Sequence, residues 1–235
     1  SLPQISWGAM LPMLLVAGTG ILILILDPLT PPARRDRLAA LGLVGIVAAA
    51  VALLAQRGRP EIVFGGMLAA DAFALFFNLL FLLVAGLTLL ISLPYVRRVG
   101  MDHGAYYALL LFSTLGMMIM ASSLDLMTIF LGLETLSISL YILAGFLREQ
   151  LKSNESALKY LLLGAFASGF VLYGIALVYG ATGSINLKRV AEALASGKVT
   201  SHTLLIIGMG LLIIGFGFKV ASVPFHMWTP DVYEG

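Results

Sequence analysis

The sequence predicts an all-α polytopic membrane protein with about seven spanning helices. Composition, the placement of charge and the length of the apolar runs carry that reading. Of 235 residues, 60% are apolar and 11% charged, against roughly 45–50% and 25% in soluble globular domains. That balance excludes a soluble enzyme. A hydrocarbon core about 30 Å thick takes about 20 apolar residues per helix, so the apolar content suffices for about seven crossings. Residues 1–26, 38–56, 72–96, 104–124, 160–187 and 199–218 hold no charge, and 126–147 is broken only by Glu134. Such runs read as membrane helices. Strands of a membrane barrel would alternate apolar and polar residues, and 79–83 and 204–207 show no alternation.

The elements follow in order. The first span covers 7–26 and stops at Asp27-Pro28, and the Pro31-Pro32 loop after it carries Arg34, Arg35 and Arg37. The second covers 38–55. Pro60 and Gly65-Gly66 make 56–71 a loop, because neither residue type continues a helix comfortably. The third span, 72–93, is closed by Pro94, and Arg97 and Arg98 follow. A fourth, 105–122, turns near Asp125 into a fifth, 126–147; the sixth is 156–179. Within 186–195, Leu187, Val190, Ala191 and Leu194 recur at helical spacing opposite Lys188, Arg189 and Glu192, the pattern of a short surface helix. The seventh span, 203–228, is longer than one straight crossing needs. Gly215, Gly217 and Pro224 lie in it, and a break is predicted near 217–224, since glycine removes side-chain packing and proline a backbone donor. Broken helices at membrane depth are tolerated only where they face protein or a wet cavity.

The whole reads as one membrane domain, 1–235. A start at Ser1 without methionine and an end at Gly235 just after a helix predict a piece of a longer chain. The first apolar run has no basic region before it and six more runs follow, so a cleaved signal peptide is not expected. Basic residues lie in short loops rather than one patch, which argues against a nucleic-acid partner despite the net charge of +2. Absence of cysteine excludes thiol catalysis, disulfides and thiolate-held iron–sulfur clusters within these residues. No metal-binding cluster or phosphate-binding glycine loop is present in the sequence. Arg34, Arg35, Arg37, Arg97, Arg98, Arg148 and Lys152 fall on one side, and Arg57, Arg59, Lys188, Arg189 and Lys198 on the other. The positive-inside rule then puts the N terminus outside the cytoplasm.

Three ionisable residues stand inside apolar spans: Glu134, Lys159 and Lys219. Each costs about 2.5–3.5 kcal/mol at a helix centre, so such residues face the bundle interior, paired or hydrated, and mark function by default. The competing reading is an ion pair that only pins two helices together. Lys159 sits three to six residues from its helix start, where snorkelling to the interface is an alternative. A low dielectric penalises both charged forms and an opposite charge restores them, so opening or closing a Glu134–Lys219 pair changes proton affinity. That is the chemistry of a proton relay. His226, just after the break, titrates near neutral pH when unperturbed. Met117, Met118 and Met120 read as packing or lipid contacts, Trp7 and Trp228 as interface residues, and Gly164 with Ser168 as a small-residue pair allowing close helix approach.

Residues 215–235, GFGFKVASVPFHMWTPDVYEG, resemble the broken seventh helix of the antiporter-like subunits of respiratory complex I. Residues 153–168, SNESALKYLLLGAFAS, with YGATGS at 179–184, narrow the resemblance to subunit N, the counterpart of mitochondrial NADH dehydrogenase subunit 2. LETLS at 133–137 fits the fifth helix of that family, and FGGML at 64–68 with Asp71 fits the approach to its third. The resemblance implies the N-terminal half of a fourteen-helix fold built from two inverted five-helix repeats. It implies a proton-translocating subunit of NADH:quinone oxidoreductase, in which NADH-to-quinone electron transfer elsewhere drives proton pumping. Glu134 and Lys219 would form the ion pair of its first half-channel, with Lys159 on the same path and His226 continuing it. No cofactor is expected in this chain; flavin and iron–sulfur clusters belong to other subunits. The implied partners are other membrane subunits of complex I, the lipid bilayer and protons, in a bacterial cytoplasmic membrane or an organelle inner membrane. A cation/proton antiporter or hydrogenase-linked pump of the same superfamily is the alternative, and a purely structural scaffold a third.

Overall fold

The computed structural model describes residues 6–31, 34–101 and 103–234. Pro32 of the Pro31-Pro32 loop and Gly235, the last residue of the 215–235 motif, lie outside them. Among the described residues, seven helices are long and apolar enough to cross a membrane. They are α1 (Trp7–Leu26), α2 (Asp36–Ala55), α3 (Ala72–Val99), α4 (Gly104–Ser122), α5 (Leu126–Ala144), α6 (Leu151–Thr182) and α8 (His202–Lys219). The short helices α7 (Leu187–Ala195) and α9 (Thr229–Glu234) complete the set.

Several boundaries depart from the sequence reading. Pro94 does not close α3, which runs on to Val99 and ends where Gly100 turns left-handed at φ 78°. Near a helix end, a proline leaves a carbonyl that interfacial water can satisfy. Helix α5 stops at Ala144, three residues before the apolar run does. Helix α6 begins at Leu151 rather than 156, because Lys152, Glu155 and Lys159 belong to its first turns; Glu155 and Lys159 pair at 2.6 Å across one turn. The break expected near 217–224 is present, since α8 ends at Lys219, but Gly215 and Gly217 themselves keep ordinary helical backbone before it. Turns occupy 220–228, with Ala221 at φ 52° and a cis Val223–Pro224 bond, before α9 begins.

The stretch read as a loop, 56–71, contains a two-stranded antiparallel hairpin of β1 (Glu61–Val63) and β2 (Leu68–Ala70). Gly66, at φ 99°, sits in a left-handed conformation that favours glycine at the hairpin's tip. The hairpin lies over the N-terminal face of the bundle. There the amide of Leu124 donates to the Met67 carbonyl at 2.7 Å, Leu187 to Leu124 at 2.9 Å, and Leu126 to Ile185 at 3.0 Å. Asp125 caps α5 by accepting from the Thr128 amide at 2.7 Å, and Asn186 caps α7 by accepting from Arg189 at 3.3 Å. This extended layer fixes where α5 enters. On the opposite face, the Asp27 carboxylate accepts from the Gly104 amide at 2.9 Å, and Arg97 pairs with Asp36.

Helices α1–α4 share one apolar core in which Val16, Ile23, Leu82, Leu89, Leu111 and Met118 are fully or almost fully buried. Helix α4 packs on α1, α3 and α5, and α6 packs on both α5 and α8. Glycine pairs permit close backbone crossings. A Cβ on Gly132 would lie 2.8 Å from the Gly116 carbonyl oxygen, and one on Gly174 would lie 2.9 Å from that of Gly208. In lipid, where burial of apolar surface drives little, such backbone-close packing holds helices together. The outer faces carry exposed residues such as Trp7, Val44, Ile91 and Phe166, the belt a lipid environment requires.

Candidate functional site

The polar interior of the molecule lies where α5, α6 and α8 meet. Glu134, Ser137 and Tyr141 stand at i, i+3 and i+7 on α5, a spacing that places them on one face. Lys219 is the last residue of α8, about 25 Å of helix from His202, whereas Glu134 is about 12 Å from Leu126. Helical side chains lean toward the N terminus, so the long lysine side chain reaches back in the direction of the carboxylate. The Lys219 ammonium donates to Ser137 Oγ at 2.8 Å and to Tyr141 Oη at 2.9 Å. Its distance to Glu134 Oε1 is 3.8 Å, an ion pair without a direct hydrogen bond. Ser168 of α6 donates to that same Oε1 at 2.5 Å. The lysine side chain is only 7% exposed, the glutamate 23%.

Aromatic residues close the site on the side away from the hairpin. Trp228 stacks on Tyr160 with ring centroids 4.7 Å apart and on Phe218 at 5.3 Å. Its indole N–H donates to the Phe218 carbonyl at 3.2 Å, which also accepts from the Ala221 amide at 3.0 Å where α8 ends. Tyr160 meets the Tyr141 ring edge-on at 4.6 Å. Trp228 is therefore not an interface anchor: at 5% exposure it is a buried lid over the helix end.

The remaining expected residues fall elsewhere. Lys159 does not join the pair. It bonds Glu155 at 2.6 Å and Asp231 of α9 at 2.7 Å, with its side chain 40% exposed. That places it in a surface latch, where Lys152 also pairs with Glu234 at 2.6 Å and the Ser156 hydroxyl reaches the Asp231 carbonyl at 3.2 Å. Lys152, through its hydrogen bond first and its charge second, holds the Glu234 carboxyl below the usual carboxylate value. His226 is exposed in the turn before α9, and its carbonyl accepts from Thr229 at 3.1 Å. Gly215 packs against Val171 and Ala167 of α6, and Gly217 faces Ser222, so both serve close approach. Pro224 lies exposed in the turn. Sequence reasoning missed Ser137, Tyr141 and Ser168 as partners of the pair. The signal for the first two was their spacing from Glu134 on one helix face.

Two charges from distant helices, held inside a bundle and partnered by hydroxyls, suit ion or proton handling. The sequence comparisons point the same way. Residues 123–235 match the family described as NADH:quinone oxidoreductase/Mrp antiporter, transmembrane. NADH-quinone oxidoreductase subunit N of Trichlorobacter lovleyi is 48% identical over 231 residues, 98% of this chain and 47% of that one. Over these residues the chain is similar to that antiporter-like family. Subunit N 2 of Roseiflexus castenholzii is 44% identical across 100% of the chain and 47% of its own length. The similarity to these subunit N chains runs along nearly the whole length of this one. This chain spans about half the length of these relatives. Among solved structures, respiratory complex I of Thermus thermophilus with bound aureothin contains a chain 36% identical, with a TM-score of 0.76 over 95% of this chain and 47% of that one. The archaeal membrane-bound sulfane sulfur reductase contains another, 28% identical, with a TM-score of 0.82 over 97% and 48%.

Proposed function

We propose that this chain belongs to a proton-translocating, non-redox membrane subunit of NADH:quinone oxidoreductase in a bacterial cytoplasmic membrane. The observation that carries the proposal is the buried Lys219 ammonium, bonded by two hydroxyls and set 3.8 Å from the Glu134 carboxylate. Closing that distance strengthens the pairing and holds the proton on Lys219; opening it removes the stabilising charge and releases the proton. A change in distance of a few ångströms in a low dielectric moves the interaction by several kcal/mol at most, which suffices to switch protonation. In this reading, electron transfer in other subunits drives the opening and closing. Flavin and iron–sulfur clusters reside there, and neighbouring membrane subunits and lipid cover the exposed apolar faces.

The test is NADH-driven proton uptake in inverted membrane vesicles carrying Lys219→Ala in the full-length subunit, with the amount of assembled complex measured in parallel. Uptake falls to background with the complex intact. Normal uptake would leave Glu134 and Lys219 as structural glue. The likeness to the archaeal reductase supports a second reading, an ion pump driven by a different electron donor. Uptake driven by NADH and independent of sodium decides against it.

A further inference from the structure

We infer that Ser168 and Tyr141 are positioning residues that hold the Glu134–Lys219 pair open, Ser168 restraining the carboxylate and Tyr141 the ammonium. The inference rests on the proton-relay reading and deepens it.

Ser168 has one hydroxyl hydrogen and two acceptors in reach. Glu134 Oε1 lies at 2.5 Å and the Gly164 carbonyl at 3.0 Å. Elsewhere in the spans, Thr19, Thr114, Ser123, Thr135 and Ser139 donate to the carbonyl four residues back. Ser168 has that same choice, and its shorter contact goes to the carboxylate, where a charged acceptor makes the bond roughly twice as strong. The carbonyl is a fallback. When the carboxylate turns toward Lys219 or takes a proton, the hydroxyl returns to Gly164 and no buried group is left unpaired. Ser168 is thus a two-position hydroxyl whose position reports and biases that of Glu134.

Tyr141 acts on the other partner. Ser137 commits its hydrogen to the Leu133 carbonyl at 2.7 Å, so toward Lys219 it only accepts. A phenol both accepts and donates. Tyr141 can accept from the ammonium, as it does at 2.9 Å, and donate to the amine once the proton has left. Its ring is fixed by the edge contact with Tyr160 and by Gly164, where any Cβ would collide with the Tyr141 hydroxyl. Gly164 therefore serves both restraints: its carbonyl is the alternative acceptor for Ser168, and its missing side chain makes room for Tyr141.

The experiment uses the complete complex in inverted vesicles, comparing Ser168→Val with Ser168→Thr, Tyr141→Phe with the parent, and Lys219→Ala alongside. Valine and threonine match in size and differ in the hydroxyl. NADH-driven uptake per assembled complex falls about tenfold in Ser168→Val and in Tyr141→Phe, as expected for loss of a hydrogen bond to a charged group, while Ser168→Thr stays within about twofold of the parent. Rescue by threonine separates positioning from packing. Equal uptake in the valine and threonine variants, with Tyr141→Phe at the parental rate and Lys219→Ala inactive, overturns this inference alone. Normal uptake in Lys219→Ala overturns the relay reading beneath it. Should Ser168→Val fail to assemble, the near-isosteric Tyr141→Phe still decides.

Discussion

The four-helix core of α1–α4 and the layer of α5, α6 and α8 use opposite means to stay together. In the first, Val16, Ile23, Leu89, Tyr107, Leu111 and Met118 are sealed from solvent in one continuous cluster. Thr19, Ser92, Ser113 and Thr114 turn their hydroxyls back on their own helices, and a neutral bond from Asn78 of α3 to Ser122 of α4 at 3.1 Å crosses between two of them. In the second, the buried apolar clusters are small: Ala167, Phe218 and Trp228 form one, Val178, Ala181 and Leu205 the other. Between them lie the charges, bonded to hydroxyls across helices. A close-packed interior has one arrangement, whereas a network of exchangeable hydrogen bonds has several. The difference assigns rigidity to the first region and switching to the second, with the Gly116–Gly132 crossing of α4 and α5 joining them.

The largest effect belongs to that crossing. In Gly116→Leu, the new side chain meets the backbone of Gly132 and Leu136, which cannot step aside. We expect the subunit to disappear from the membrane, measured by its abundance; normal abundance would show the two regions to be less tightly joined than the contact implies. Next comes Glu134→Gln, which leaves abundance unchanged while cutting NADH-driven proton uptake more than about tenfold, because the neutral amide keeps the shape and loses the charge. The mirror experiment is Leu111→Ala in the core. Its cavity destabilises by about 2–5 kcal/mol, lowering the melting temperature of the purified complex, with uptake per folded complex close to parental. Reversal of those two outcomes would reverse the assignment of roles.

Much of this contrast was legible in the residues. Apolar runs long enough to span, and charges placed against strong selection by the bilayer, pointed to the helices and to Glu134 and Lys219. What stayed hidden was relational. Whether Lys159 stood in the membrane or snorkelled to the interface stayed open, because nothing in the residues marked that its helix starts at Leu151 or that Asp231, 72 residues on, would turn back to meet it. Ser168 read as a small packing residue, since one hydroxyl on α6 carries no local mark of a carboxylate on α5. The break near 217–224 was legible, but the part of Gly215 in it was not: small residues serve backbone approach equally well, and only the packing of Val171 on Gly215 separates the two uses. The hairpin 61–70 was missed because three-residue strands fall below any useful periodicity.

The smallest effect, and the one that sharpens the boundary of the switching region, concerns the latch of α9 on α6. Tyr160, Trp228 and Phe218 stack beside the ion pairs Lys152–Glu234 and Lys159–Asp231, and either set could hold α9 down. Exposed pairs are weak and screened by salt. The Glu234 carboxyl is held below its ordinary value by Lys152, so its contribution is fully present above the usual carboxylate range and is lost as pH falls through the lowered value. Hydrogen exchange of the α9 amides in the complete complex, corrected for the intrinsic pH dependence of exchange, should then rise modestly on acidification and at high salt. Glu234→Gln should show the faster exchange already at neutral pH and flatten the response. Exchange that ignores pH, salt and the substitution would mean that the Trp228 stack and the neutral Ser156 contacts fasten α9 without the ion pairs, extending the rigid, packing-held part of the molecule right up to the carbonyl of Phe218 beside Lys219.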